Sequence, residues 1–261
     1  MRIRTLIDKE WNEVFKNKLV LFTVLLLPLV FAVLPLVQLA TTRQVNPGEL
    51  SDAPGNIARL CDLQGLTSAE CMQTFLSQSF MLFFFLMPLM IPVTIASYSI
   101  VGEKTTRSLE PLLATPTTTA EIIVGKGLAA VIPAMVAGWL SFAVYLIGAR
   151  FFVVSDRVYA AIASPVWLVG MVLVAPLLTL FSVGAAIVIS SRVNDPRAAE
   201  QLGALVILPV LAVFIGQIFG VIALNVTSMI VFAGVMLVVD AGMLYLAAKL
   251  FQRETILTRW R

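Results

Sequence analysis

The sequence predicts an all-α integral membrane protein. We expect six transmembrane helices, an N-terminal amphipathic interface helix and a short cytoplasmic helix between the second and third spans. Hydrophobic residues make up 59% of the 261 residues and charged residues 13%, where soluble domains carry roughly 45–50% and about 25%. The apolar residues come in blocks of about 20, the length that crosses a bilayer. Residues 1–261 therefore form one transmembrane domain.

The first predicted element is an amphipathic helix in residues 1–18. Apolar side chains recur there at three- and four-residue spacing, and charges of both signs occupy the opposite face. This pattern is typical of a helix that lies along the cytoplasmic membrane interface, with its Trp at headgroup depth. The same surface is open to a partner subunit. The apolar face consists of Leu6, Ile7, Trp11, Val14 and Phe15.

Six apolar blocks follow, and each is expected to be helical because unpaired backbone groups in lipid cost several kcal/mol. They are Leu19–Ala40, Phe80–Val101, Ile122–Ile147, Val166–Ser190, Leu202–Ala223 and Met229–Leu250. Prolines inside several blocks predict kinks or locally opened helix. These prolines are Pro28, Pro35, Pro88, Pro92, Pro133, Pro176 and Pro209.

The distribution of Lys and Arg predicts the orientation. With the N-terminus inside, 14 of the 18 basic residues fall on the cytoplasmic side and 4 outside. Because basic residues collect in cytoplasmic loops, both termini are expected in the cytoplasm of a cell whose plasma membrane holds the chain. The same rule explains the net charge of +3, so the basic balance does not indicate nucleic acid binding.

Residues 41–79 form the longest segment outside the apolar blocks and are predicted to be an extracytoplasmic loop. Both cysteines of the chain, Cys61 and Cys71, lie in it. In an oxidising compartment two such cysteines pair, and closing a short loop stabilises a fold by about 2–3 kcal/mol. The alternative is a pair of free thiols.

Composition also excludes several kinds of chemistry. The chain has no His and only two Cys, which excludes His-based acid–base catalysis, His-ligated metals and zinc clusters. No membrane-buried nucleophile–base pair is present in the sequence either. We therefore expect no catalytic site and no metal site on this chain.

The most informative segment is residues 102–121, between the second and third blocks. Leu109, Leu112 and Leu113 share one face of a short helical turn that ends near Pro116. Thr118 followed by Glu121 is a capping box that begins the next helix. A short helix with an apolar face, placed outside the bilayer, needs a surface to dock against.

The stretch from Glu103 to Lys126 resembles the hallmark of permease subunits of type-2 ATP-binding cassette (ABC) exporters. That pattern runs from an acidic–basic pair through a Leu-Glu-x-Leu-Leu core and a Thr-Pro turn to a Gly-Lys. The matching residues are Glu103-Lys104, Leu109-Glu110-Pro111-Leu112-Leu113, Thr115-Pro116 and Gly125-Lys126. The opening of the chain, residues 6–18, resembles the interface helix of the same family.

The resemblance implies that this loop holds a coupling helix, which docks on a separate ATPase subunit that binds ATP and Mg²⁺. The chain itself has no Gly-x-x-x-x-Gly-Lys-Ser/Thr motif for a nucleotide and is expected to carry no cofactor. A second permease copy, identical or different, completes the exporter. The implied ATPase contacts are Glu103, Arg107, Leu109, Glu110, Leu112, Leu113, Thr115 and Pro116, with the charged members at the rim of the contact.

Two other functions remain open from the sequence: a secondary transporter driven by an ion gradient, and a membrane anchor that uses ATPase motion without transporting. The first would need several polar groups inside the membrane. Asp240 is the one acidic residue well inside an apolar block, and Gln217 is a weaker polar candidate. An intramembrane carboxylate suggests ion or proton handling; the alternative is a neutral carboxyl hydrogen-bonded within the bundle.

Overall fold

The computed structural model describes residues 2–44, 65–105, 119–219 and 224–250, and all regular elements in these ranges are helical. An N-terminal helix, Arg2–Val14, precedes six helical stretches long and apolar enough to cross a membrane. Three spans are continuous helices: span 1 is Lys18–Thr41, span 3 is Thr119–Phe152 and span 6 is Val226–Leu250. The other three consist of shorter helices in series. Span 2 joins Ser68–Met81 to Met87–Thr105, span 4 joins Asp156–Ile162, Pro165–Val169 and Ala175–Arg192, and span 5 joins Pro196–Gly203 to Leu208–Ile218.

Spans 2, 4 and 5 each contain a non-α turn directly before a proline. Because proline has no N–H, the carbonyl one turn earlier loses its partner and the helix tightens or widens locally. The helix is locally opened, as predicted, before Pro176, whereas it is tightened before Pro88 and Pro209. The pairs are the 3-10 turn Leu82–Leu86 before Pro88, the π turn Gly170–Val174 before Pro176, and the 3-10 turn Ala204–Ile207 before Pro209.

A tryptophan from span 3 satisfies one of the carbonyls freed in this way. In the π turn each carbonyl pairs five residues on, as Gly170 does with the Ala175 N–H. Met171 would then pair with residue 176, which is a proline. Trp139 Nε1 donates to the Met171 carbonyl at 2.8 Å instead, so the opened turn binds span 3 to span 4.

Five of the six predicted blocks lie within spans; the fifth, Leu202–Ala223, extends past Ile218, where span 5 ends, and its residues 220–223 lie outside the described part of the chain. Spans 2, 4 and 5 begin six or more residues before their blocks. Span 2 starts at Ser68 rather than Phe80, so the predicted loop 41–79 is too long. Thr67 and Glu70 form a capping box there, in which the Thr67 hydroxyl accepts from the Glu70 N–H at 3.4 Å and the Glu70 carboxylate accepts from the Thr67 N–H at 2.9 Å. The first turns of this helix are polar, so hydropathy alone does not detect them. Span 4 begins at Asp156 for the same reason.

Span 2 forms the centre of the bundle. In its most apolar window 72% of the residues are buried, against 22% in spans 1 and 6, which therefore form the outer surface of the single chain. Span 2 packs mainly on the second half of span 4 and on span 3. Its Phe84 is 1% exposed and meets the rings of Phe142 and Tyr145 at centroid distances of 5.6 and 5.4 Å. On span 1, Leu25 is 65% exposed, as expected of a side chain in contact with lipid.

A single amide on span 2 binds the ends of two other spans. Gln73 Nε2 donates to the carbonyls of Leu39 and Phe152 at 2.8 and 3.3 Å, and its Oε1 accepts from the Val154 N–H at 2.9 Å. Helix ends leave carbonyls without intrahelical partners, and Gln73 satisfies two of them. Close by lies Cys71, which is 1% exposed; Cys61 lies outside the described residues, so the disulfide between the two stays a prediction.

Candidate functional site

At the opposite end of the bundle, the N-terminal helix packs on the end of span 2 and the start of span 3. Its Val14 is 2% exposed and belongs to the core. Leu6 lies against Gly125, where a Cβ atom would stand 2.4 Å from Leu6 Cδ2. Because such a distance is too short for any side chain, glycine at position 125 permits this close approach. The predicted interface helix is thus docked on the spans themselves.

Trp11 makes a second contact between the N-terminal helix and span 3. Its Nε1 donates to the Ala129 carbonyl at 2.9 Å. Four residues further along span 3 stands Pro133, which has no N–H to offer that carbonyl. The indole therefore replaces a missing helix hydrogen bond. The sequence placed Trp11 at headgroup depth; the structure adds a specific bond to the protein.

Beneath this helix, four side chains form what we call the charged cluster: Glu10, Ser99, Glu103 and Lys126. Lys126 Nζ lies 2.7 Å from Glu10 Oε1, 2.8 Å from Glu103 Oε2 and 2.8 Å from Ser99 Oγ. Ser99 in turn donates to the second oxygen of Glu10. The charged side chains are only 2%, 6% and 3% exposed for Glu10, Glu103 and Lys126. They come from the N-terminal helix, span 2 and span 3.

Lys9 balances the charge of the cluster from its rim. Its Nζ donates to Glu103 Oε1 at 2.7 Å, and its side chain is 38% exposed. Partial burial would lower the pKa of Lys9, but the hydrogen bond and charge of Glu103 outweigh burial and raise this pKa above 10.5. Two Lys and two Glu thus leave no net charge at a largely buried site, as buried ions require.

The charged cluster joins the two helix ends that flank residues 106–118, the end of span 2 and the start of span 3, which we call the stems of this segment. Glu103 stands near Thr105, where span 2 ends, and Lys126 follows Thr119, where span 3 begins. Residues 106–118 lie outside the described residues. The short helix, the Thr118 cap and the ATPase contacts expected in this segment therefore stay predictions. These contacts are Arg107, Leu109, Glu110, Leu112, Leu113, Thr115 and Pro116.

Glu103 is the predicted contact residue that the structure does describe, and its position differs from the prediction. We expected it at the rim of the ATPase contact. The structure buries it between Lys126 and Lys9, because two ammonium groups from different elements converge on its two oxygens. Glu103 thus contributes to the stem of the segment.

Span 2 is also bonded to spans 4 and 5 at this end. Lys104 Nζ donates to the carbonyls of Ser191 and Val193 at 3.4 and 3.3 Å, where span 4 ends. Ten residues earlier, roughly 15 Å further into the bundle, Thr94 Oγ1 donates to Glu200 Oε1 at 2.8 Å. A displacement at the end of span 2 therefore reaches four other helical elements through polar bonds.

Sequence reasoning assigned no role to Glu10 or Ser99, and it noted Lys126 only as part of a motif. One signal was present. Glu10 shares a helical stripe with Ile3, Ile7 and Val14, at positions that are otherwise apolar. A charged residue in an apolar stripe indicates a buried partner of opposite charge. The identity of that partner, 116 residues further along the chain, has no local signature.

The two intramembrane polar candidates do not form one site. Gln217 is next to the last residue of span 5, and its Oε1 is buried with no hydrogen-bond partner among the described residues. Asp240 lies 14 residues into span 6, roughly 21 Å along the helix, and is 4% exposed. Within the part of the chain that the structure describes, no three His, Cys, Asp or Glu residues stand close enough to hold a metal ion.

These features together define a multi-pass membrane protein in which an amphipathic helix is fastened by buried charges to the stems of two spans. Residues 4–254 match the family model described as ABC-2 family transporter protein. The chain belongs to this family and is a permease subunit of the type-2 ABC class, which confirms the resemblance seen in the sequence. A comparison with curated proteins finds no match.

Proposed function

We propose that this chain is the permease subunit of an ATP-driven exporter, which moves an unidentified substrate outward across the plasma membrane with a separate ATPase subunit. The observation that supports this best is the charged cluster at the stems of residues 106–118. In this proposal ATP and Mg²⁺ bind to the ATPase, and a second permease copy completes the transporter. Both termini and the charged cluster lie on the cytoplasmic side.

The cluster gives a physical route from the ATPase to the membrane. Removing one partner of a buried ion pair costs about 3–5 kcal/mol, so Glu10, Glu103 and Lys126 stay together during small displacements. The N-terminal helix, the end of span 2 and the start of span 3 then move as one body. A push on the segment between the stems is passed to the spans rather than absorbed locally.

The surface next to this segment has the polarity of a docking site for a soluble subunit. A cavity of about 330 Å³ opens between the N-terminal helix and the end of span 2, with Glu13, Gly102 and Thr105 among its lining residues. Lys9 and Glu13, with side chains 38% and 54% exposed, stand at its edge. We propose that the ATPase contacts this rim as well as the coupling helix.

Co-purification tests the partnership. The chain is expressed with a candidate ABC ATPase as wild type and as Leu112→Asp/Leu113→Asp. A matched control, Leu60→Asp/Leu63→Asp, places the same charges in the predicted extracytoplasmic loop. The proposal expects the ATPase to be retained by the wild type and the control and lost from the first variant. Equal retention by all three proteins, with each still folded in the membrane, would contradict the coupling role of residues 106–118.

Transport is tested separately from ATPase binding. Inside-out vesicles that contain both subunits are given ATP together with labelled ions, lipids or drugs. ATP-dependent accumulation of one of these classes inside the vesicles supports an exporter. ATP hydrolysis that depends on the permease, without movement of any tested class, favours the non-transporting anchor.

A further inference from the structure

Asp240 stands alone on the buried face of span 6. The residues just before it, Leu237, Val238 and Val239, are 60%, 71% and 38% exposed, whereas Asp240 is 4% exposed and shares its face with Met236. The carboxyl therefore faces the protein rather than lipid. In the described part of the molecule neither of its oxygens has a hydrogen-bond partner.

The span 4 hydroxyls nearest to the level of Asp240 are already bonded, and Ser190, whose hydroxyl has no partner in the described part of the chain, lies six residues beyond Gly184. Span 6 packs chiefly on the second half of span 4, where Met243 touches Gly184. The hydroxyls of span 4 around this level are used elsewhere. Thr179 bonds to the Ala175 carbonyl and the Met135 sulfur, and Ser182 bonds to the Leu89 carbonyl.

Among the described residues, no cation reaches Asp240 from the elements packed around it. Arg192 ends span 4, eight residues and roughly 12 Å beyond Gly184, on the side away from Asp240. Residues 165–174 contain no titratable side chain. On span 6 itself Tyr245 is exposed and Lys249 lies roughly 13 Å along the axis. Span 3, which touches span 6 only lightly, carries these titratable residues: Glu121, Tyr145, Arg150, and Lys126 of the charged cluster.

An ionised carboxylate without donors or a cation is strongly disfavoured inside a protein in a membrane. A metal ion would need further ligands, and none converge there among the described residues. We infer that Asp240 is a proton-binding site: the carboxyl carries its proton while span 6 is packed on span 4. The proton can leave only when the two spans separate and water reaches the carboxyl. Proton binding is thereby linked to the packing of these two helices.

This inference goes beyond the proposed function, since it depends on neither the ATPase nor the exported substrate. A hydrophobic carbodiimide supplies a chemical probe, because it reacts with protonated carboxyls in apolar surroundings. The carboxyl oxygen bonds to the central carbon of the reagent, the proton passes to a reagent nitrogen, and one C=N double bond becomes single. The adduct then rearranges to a stable N-acylurea. Glu10 and Glu103 are matched internal controls, because both are buried but paired with Lys126.

The first measurement is dicyclohexylcarbodiimide labelling of the purified chain at neutral pH, read by peptide mass spectrometry. We expect modification at Asp240, a decrease as the pH is raised, and loss of the adduct in Asp240→Asn. Preferential modification of Glu10 or Glu103 would overturn the inference.

The second measurement, the melting temperature as a function of pH, tests proton binding even if the carbodiimide reaches Asp240 poorly. The folded state is inferred to hold a proton that the unfolded state releases above about pH 4. Raising the pH therefore favours the unfolded state, which has released this proton, and stability must fall as pH rises. We expect the melting temperature of the wild type to fall relative to Asp240→Asn between about pH 5 and 8, with up to a tenfold change in the relative unfolding constant per pH unit. A difference that is flat or rises over this range refutes proton binding.

Discussion

Replacing Lys126 by Met removes the one ammonium group that both buried glutamates share. Lys126 Nζ stands 2.7 Å from Glu10 and 2.8 Å from Glu103, so the two carboxylate oxygens lie no more than about 5.5 Å apart, the sum of these distances. At an effective dielectric constant near 20 their repulsion is about 3 kcal/mol. The expected destabilisation is about 3–5 kcal/mol, the range seen when one partner of a buried ion pair is removed.

The assay is thermal unfolding in detergent, followed by size-exclusion chromatography of a fluorescent fusion. For a chain of this size the expected loss in melting temperature is about 6–20 °C. Lys9→Met is the matched control, because it removes an ammonium group whose side chain is 38% exposed. Its partner Glu103 is 6% exposed but keeps its bond to Lys126, so this variant should melt below the wild type and above Lys126→Met.

A double variant separates electrostatics from simple loss of packing. In Glu10→Gln/Lys126→Met, Glu103 keeps its bond to Lys9 and the remaining charges balance. It should therefore melt at a higher temperature than Lys126→Met alone. Equal melting of Lys126→Met and Lys9→Met, or a double variant less stable than Lys126→Met, would refute the idea that buried charge holds the N-terminal helix.

Three further outcomes follow from the packing. Gly125→Leu should displace the N-terminal helix through its clash with Leu6, whereas Gly138→Leu, with open space around it, should not; limited proteolysis of the N-terminus checks both. Gln73→Leu should cost about 2–4 kcal/mol by leaving helix-end groups unpaired, and thermal unfolding unchanged from wild type would contradict this. The pKa of Lys9 is raised in the folded state, so its contribution to the free energy of unfolding is complete below about pH 10.5 and is lost as pH rises through the higher folded value. The stability difference between wild type and Lys9→Met should therefore stay constant from about pH 6 to 9.

The spans were predictable because hydropathy sums over about 20 residues and does not depend on packing partners. Their beginnings were not. Ser68 and Asp156 begin helices with polar turns, and hydropathy assigns such turns to loops. The capping residues Thr67 and Glu70 did carry a signal, since a Thr followed three residues later by Glu is the capping-box pattern. The turn-forming residues that precede it, such as Pro54 and Gly55, mask this signal because they favour a loop.

The location of the candidate site was predictable from the sequence, but the set of residues that form it was not. The sequence located it between spans 2 and 3 and named Glu103 and Lys126 as parts of one motif. The sequence alone did not predict the ion pair between Glu103 and Lys126. The N-terminal helix joins this pair through Glu10, which lies 116 residues before Lys126 in the chain. Tertiary contacts between charges leave no periodic pattern, whereas the apolar contacts of Leu6 and Val14 do.

The sequence separation of Glu10 from its partner also has a consequence for biosynthesis. Glu10 leaves the ribosome 116 residues before Lys126. At about 5–20 residues per second, the wait lasts about 6–23 s. During that interval Glu10 has no buried cation, and the carbonyl freed by Pro133 does not yet exist for Trp11. The amphipathic helix must therefore remain at the membrane surface while spans 1 and 2 insert, and its docking on span 3 becomes a late step of assembly.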